Sequence, residues 1–581
     1  MDLPDLTSHT THQEDAVPEN SSFQEKLPRE IRLMVLQALV HLHIGDHERD
    51  VQQGRWKGEL ARKRWYGETA GRRELLRLRR VCVDWNDLVL DGQMWSDCHM
   101  SPYLDHLPPS TLIKILRSAS SCVRELDVSG WRNIPGELLI TAMQAGGTFD
   151  TGLRKLDLQG CRKMGAQELQ WLLDHSPNLT WLSLKGLSCV RREHISALSA
   201  FMQLEYLDLA FCEALPWDCY DMLLAKERPR LRELRMSGFQ GIINLAMVAV
   251  HMPNLQVLDL SYSPDLADKH FKTLVTPCTQ EWMPAFVKSQ CARYRKDGIS
   301  YGENIRFLTI DEAGQPASEF TGCNGLVPRR VLKLRKLVLS QCHQLTDRSC
   351  QYLAHAVPAL EIFEMANADG NANIQTAGLI DLFSTCPAIR KIDLEGAMDI
   401  EDDLVPALLH NNKPVPGSPS TVVGSQLDTV CLGFAGNLSS AAMHALILKC
   451  TRLKFLDIDN TMAGDLLVKE FIRKRGRGTV LSVVDCRGVS RNVVEAFENR
   501  RRARNGWRGW QAAPLCYQDG PSMEGRPDEC SDAPVIQSFW TWNRVPRADR
   551  PISMALDRER SRFTDYDADD LPDTPNSCIL M

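Results

Sequence analysis

The chain ends Cys578-Ile579-Leu580-Met581, a thiol followed by two aliphatic residues and a methionine. That arrangement is a C-a-a-X acceptor, in which the cysteine sulfur takes a prenyl group and Met as the last residue selects farnesyl. One lipid chain gives weak, reversible membrane partitioning, and the preceding FTDYDADDLPDTPNS supplies acid rather than a polybasic second signal. A second set of residues recurs along the chain. Asp127, Asp157, Asp208, Asp259, Glu364, Asp393, Asp457 and Asp485 each stand in the same local pattern of apolar residues. Trp181, Tyr206, Phe307 and Phe455 stand two positions ahead of that place in their own segments. Carboxylates arrayed at one spacing attract a basic partner or tie down local backbone donors. Aromatics so arrayed are the anchor type of protein interfaces. There is no P-loop, no GxSxG and no metal-spaced His/Cys cluster, so no catalytic centre and no cofactor is expected.

The element that must position these residues is a hexad with apolar first, fourth and sixth places. It reads VRELDV from Val123, LRKLDL from Leu153, LTWLSL from Leu179, LEYLDL from Leu204, LRELRM from Leu231 and LQVLDL from Leu255. It returns as IRFLTI from Ile305, LRKLVL from Leu334, LEIFEM from Leu360, IRKIDL from Ile389, LDTVCL from Leu427, LKFLDI from Leu453 and LSVVDC from Leu481. Spacings of roughly 24–30 residues fall in the leucine-rich-repeat window, one short strand and one returning helix per unit. The expected fold class is therefore α/β, a repeat solenoid whose strands line a concave face. Between the last two apolar places stand Asp127, Asp157, Ser183, Asp208, Arg235, Asp259, Thr309, Val338, Glu364, Asp393, Cys431, Asp457 and Asp485. Eight of these thirteen are acidic, a ladder either of attraction or of local hydrogen bonds. The second half of a unit reads as helix, as in DRSCQYLAHAVPAL, where Asp347 is expected to cap and Pro358 to stop.

The 581 residues carry a net charge of −6, too mild to call for nucleic acid or an anionic membrane. Nineteen cysteines contain no CxxC pair, and Cys161, Cys212, Cys342 and Cys486 share one repeat position, where a buried thiol is the reading. Reduced thiols and a polar N-terminus point to cytoplasm or nucleus. The expected divisions are a disordered 1–26, a helical module 27–100 with a basic insertion at 40–74, a solenoid 101–505, and a flexible tail 506–581. Interruptions are expected near 264–304 and 397–426, the latter holding the loop composition NNKPVPGSPS. Basic runs at 473–478 and 501–504 read as solvated faces or import signals.

Residues 27–39, LPREIRLMVLQAL, place Ile31, Met34, Val35 and Leu39 at helical spacing, and 75–96 does the same with Leu78, Val81, Cys82, Trp85, Leu88 and Val89 before Trp95. Together, Leu27-Pro28-x-Glu30-Ile31, Leu36, then Val81-Cys82-x-x-Trp85, Leu88 and Trp95, resemble the F-box, and the repeats resemble the cysteine-containing leucine-rich class. The stretch 40–74 departs from that pattern in its length and in its basic and aromatic residues Arg55, Trp56, Lys57, Arg62, Lys63, Arg64, Trp65 and Tyr66. The resemblance implies that Leu27, Pro28, Ile31, Val35, Leu36, Val81, Trp85, Leu88 and Trp95 dock a Skp-type adaptor of a cullin–RING ubiquitin ligase of the SCF type. A protein substrate would then lie on Asp157, Trp181, Tyr206, Asp208, Asp259, Phe307, Asp393, Phe455 and Asp457 and be marked for proteasomal degradation. A plain interaction scaffold and a small-GTPase regulator use the same kind of surface.

Overall fold

The computed structural model describes residues 27–56, 60, 65–103, 109–119, 121–132, 135–145, 152–241, 243–277, 305–309, 326–366, 374–409, 426–476, 478–497 and 535–538. Residues 1–26, most of the excursion 264–304, the loop 411–420, the run 501–504 and Cys578 lie outside them.

Eleven of the thirteen hexads fold as their spacing dictates. The third to fifth residues of each form a three-residue strand whose central apolar side chain turns inward while the flanking two point out. These strands are β1 (Asp97–His99), β2 (Glu125–Asp127), β3 (Lys155–Asp157), β4 (Trp181–Ser183), β5 (Tyr206–Asp208), β6 (Glu233–Arg235) and β7 (Val257–Asp259). After them come β10 (Lys336–Val338), β11 (Ile362–Glu364), β12 (Lys391–Asp393), β13 (Thr429–Cys431), β14 (Phe455–Asp457), β15 (Val480–Val483) and β16 (Val535–Ser538). All fourteen pair in parallel in one sheet, with β7 directly beside β10. Helices such as Ala166–Asp174 and Asp465–Lys474 return along one side, burying Leu169, Leu172, Leu173 and Leu467, Val468, Phe471. Helices need 8–10 Å of width and strands about 4.8 Å, so the open strand face is the narrower, inner one.

Two ladders tie successive repeats together. The thiols of Cys161, Cys212, Cys342 and Cys486 donate to the carbonyls of Val128, Leu184, Leu260 and Ile458, the sixth hexad residue of the preceding rung, at 3.1–3.2 Å. Burial pushes the first three thiols up to about 12, so they act as small apolar donors and not as nucleophiles. On the helix side, Asp268, Asp402 and Asp465 accept the backbone N–H of Thr346, Ser439 and Ser490 in the next repeat, at 2.9, 2.7 and 2.6 Å. Asp347 belongs to this ladder too, accepting from Gln375. It does not cap its own helix; Thr346 does, through Arg348 N–H.

Several sequence expectations change. The segment from Ile305 is not a rung: β8 (Ile305–Thr309) pairs antiparallel with β9 (Leu326–Arg330) in a separate hairpin, so the chain leaves the solenoid between β7 and β10. A hexad pattern cannot distinguish a repeat strand from any other strand with the same alternation. The last hexad is out of frame, because Leu456 pairs with Leu481 and Asp457 with Ser482, so Ser482 and not Asp485 continues the carboxylate column. Two further rungs flank these. β1 carries a hexad beginning at Trp95, and β16 brings residues assigned to the tail back as the final strand.

The N-terminal module is α1 (Arg29–Gln52), α2 (Gly67–Leu78) and α3 (Val83–Val89). Much of the expected insertion is helix: α1 continues through 40–52, and α2 begins at 67. The helices approach so closely that a Cβ on Gly71 would lie 2.7 Å from Val40 Cα. Trp56 fills the far end, its ring 4.3 Å from His47 and 5.1 Å from Tyr66.

Candidate interaction surfaces

On the open face, in-register pairing brings Lys155, Trp181 and Tyr206 side by side, one from each of β3, β4 and β5. The Trp181 and Tyr206 rings stack with centroids 4.2 Å apart and planes at 8°. Lys155 Nζ closes the free face of the indole at 5.0 Å, and the Arg235 guanidinium closes that of the phenol at 5.3 Å. Glu125 and Glu233 hold the two cations at 3.6 and 3.3 Å. Both ring faces are thus occupied, and the half-buried stack offers its edges. Phe455, on β14, is half-buried in the same outward column, whereas Phe307 is 1% exposed inside the hairpin and belongs to no such surface.

A rim of aromatic residues borders this stack. Two residues after many of the hexads the backbone takes a left-handed conformation, met by Gly130, Gly160, Gly186, Gly238 and Gly396. Phe211 and Tyr262 occupy it at φ of 56° and 57°, where L side chains are disfavoured. Their rings meet edge-on at 5.5 Å across Gly238, whose missing Cβ would lie 2.8 Å from Phe211 Cδ1. Aligning the repeats position by position reveals this rim; reading the hexad alone does not.

The carboxylate ladder is local scaffolding. Asp127, Asp157, Asp208, Asp259, Asp393 and Asp457 each accept the backbone N–H two residues on, from Ser129, Gln159, Ala210, Ser261, Glu395 and Asp459, at 2.9–3.3 Å. Asp157, Asp208, Asp393 and Asp457 are buried, so the expectation that they present charge to a substrate is corrected; Asp259 is half-buried. Burial, with Asp127 nearby, pushes Asp157 up to about 6; burial does the same to Asp393 against the opposing pull of Lys391. At Glu364 the burial effect loses to Lys391 and Lys336, 2.7 and 3.3 Å away, and its carboxyl sits below the usual range.

In the module, α1 is apolar on two sides. Leu33 and Leu36 turn inward and Leu39 packs half-buried with them. Ile31, Met34, Val35, Ala38 and Leu42, at i, i+3, i+4, i+7 and i+11, form an exposed stripe in which Met34 is 61% and Leu42 59% accessible. Val81 and Val83, ahead of and at the start of α3, are exposed as well. The F-box positions therefore divide. Pro28, Ile31, Val35 and Val81 are exposed, and Leu27 and Trp85 half-buried. Leu36, Leu88 and Trp95 are buried, Trp95 donating its Nε1–H to Val89 O at 2.7 Å. These three are packed in the hydrophobic core that the module shares with the solenoid, so their side chains are not on the surface.

Among the described residues no group of three or more His, Cys, Asp or Glu is placed to hold a metal ion, and no helix is long and apolar enough to cross a membrane. No family model matches the chain, and no curated protein does. Among solved structures it is similar to the yeast Rad7 and Elc1 complex, at 17% identity over 72% of this chain and 94% of that one, with a TM-score of 0.41. An internalin (inlF) from Listeria monocytogenes follows at 11% identity, 64% and 85% coverage, and 0.31. The mouse RP105/MD-1 complex is similar at 15% identity, 64% and 47% coverage, and 0.33. The structure itself defines the class: a leucine-rich-repeat solenoid, α/β, with a helical module at its N-terminal end.

Proposed function

We propose that this protein is the substrate-recognition subunit of an SCF-type cullin–RING ubiquitin ligase. The helical module docks a Skp-type adaptor, and the open face of the solenoid holds a protein substrate around Trp181 and Tyr206. The protein contributes no catalytic residue in this reading; it raises the concentration of substrate beside the conjugating enzyme. The observation that carries the proposal is the second apolar side of α1. A soluble helix that buries one apolar face against its own core and leaves a three-turn stripe of Ile31, Met34, Val35, Ala38 and Leu42 in water lacks a partner helix or groove. The stripe includes two of the residues, Ile31 and Val35, that the F-box resemblance assigns to adaptor contact.

Replacing Ile31 and Val35 by Asp in the full chain tests this, since both side chains are exposed and the fold does not depend on them. Co-purification with a Skp-type adaptor is expected to vanish while circular dichroism is unchanged. Undiminished adaptor binding in the folded variant would sink the reading in favour of a plain interaction scaffold.

A further inference from the structure

Between Gln53 and Arg80 there are ten Lys or Arg and three Asp or Glu, a balance of +7 in a chain whose net charge is −6. Part of this charge is arranged by α2. That helix turns Gly71, Leu75 and Leu76 inward. Arg73 and Arg77, at i and i+4, lie on the opposite side, and Arg80 follows in the turn after the helix; Arg77 and Arg80 are exposed and Arg73 is half-buried. The head of the stripe is held in place: the Arg73 guanidinium sits 5.1 Å from the Trp65 ring, which is stacked on Tyr103 at 5.6 Å. Arg77 meets Glu74 at 2.6 Å in an exposed i,i+3 pair, a contact worth little and readily exchanged. The foot of the stripe runs straight into Val81 and Val83, the exposed apolar residues of the module. An apolar centre bordered by charged groups is the anatomy of a protein interface.

We infer that this arginine stripe receives a carboxylate-rich segment of the partner that docks on the module. All three cations are Arg, whose planar fork engages carboxylates in pairs of hydrogen bonds, where a diffuse polyanion is served equally well by Lys. A nucleic acid is disfavoured because the neighbouring indoles are occupied. Trp56 is buried against His47 and Tyr66, and Trp65 is stacked on Tyr103, so neither offers a platform for a base. The stripe steers association and the apolar residues hold the complex, a division that appears as separate effects on the two rate constants. Naming the docking partner rests on the adaptor reading; the preference for carboxylates does not.

The test is the Arg73→Glu/Arg77→Glu/Arg80→Glu variant of the full chain, with Arg73→Gln/Arg77→Gln/Arg80→Gln as the neutral control should charge reversal perturb folding. Wild type is expected to bind poly-L-glutamate in a salt-dependent manner, and both variants to lose that binding. Association with purified Skp-type adaptor at low salt is expected to slow by about tenfold, with dissociation unchanged and the salt dependence flattened. Equal poly-L-glutamate binding by wild type and variants would overturn the inference. So would binding of anionic phospholipid vesicles without poly-L-glutamate, which would give the stripe to a lipid surface. Charge-dependent poly-L-glutamate binding with no adaptor binding at all would uphold the stripe and overturn the adaptor reading instead.

Discussion

Asp157 and Asp393 show how one residue type at one repeat position serves structure and carries a cost. Each carboxylate anchors the turn after its strand by accepting a backbone N–H, and each is buried, which opposes its ionisation. Both sit near 6, above the unfolded value close to 4. A carboxyl raised on folding adds stability that is fully present below its unfolded value and is lost as pH rises through the folded one. Between pH 4.5 and 6.5 the wild type should therefore lose stability relative to Asp157→Asn/Asp393→Asn, by on the order of 2 kcal/mol per site, because Asn keeps an acceptor without a charge. Urea unfolding of both proteins at the two pH values measures this. Parallel pH dependences would show that the two carboxyls titrate normally and that burial does not govern them.

At the scale of the element, α1 is the informative case, because its two apolar sides differ only in what covers them. Leu36 is 3% exposed inside the module, whereas Val35, one residue away, is 46% exposed. Leu36→Ala should cost about 2–5 kcal/mol through lost burial and the cavity left behind. Val35→Ala should change stability by less than about 0.5 kcal/mol, as surface substitutions do. Thermal unfolding of each variant alone and with adaptor separates the effects: the Leu36 variant melts early in both states, and the Val35 variant loses only the stabilisation that the adaptor brings. Equal destabilisation in the absence of adaptor would mean that the outer stripe is already covered within the chain. Sequence spacing put Ile31, Met34, Val35 and Leu39 on one helical face. Leu39 belongs with the core, because a helix with apolar residues on two sides does not show by spacing alone which of them faces inward.

For the whole molecule the decisive feature is how the sheet ends. A solenoid exposes an unpaired strand at each terminus unless something caps it. Here the helical module precedes β1, and β16 returns from far along the chain to pair with all four residues of β15. Ile536, fully buried, is its anchor. Ile536→Asp should unpair β16 and leave Val480–Val483 as an open edge. Amides of the last two rungs are then expected to exchange faster by about tenfold or more, with concentration-dependent self-association, while rungs β2–β6 keep their protection. Hydrogen exchange with mass spectrometry and gel filtration read both effects. Uniform loss of protection across the solenoid would show a single cooperative unit and refute capping as a local effect.

The repeat, the parallel α/β solenoid and the buried thiol ladder were legible in the amino-acid sequence because each is written in local periodicity. An apolar hexad makes its strand whatever lies elsewhere, and a cysteine three residues past it meets the same carbonyl in each repeat. Pairing over long separations was not legible. Nothing local distinguishes Ile305–Thr309, which leaves the sheet, from a true rung, or marks Val535–Ser538 as one, since pairing depends on which edge is open when the strand arrives. The same limit applied to the surfaces. Residue types showed that Trp181 and Tyr206 share a column, but only the register stacked them between Lys155 and Arg235. Burial, a property of the assembled molecule, decided that the aspartates hold turns together while the outer side of α1 remains exposed.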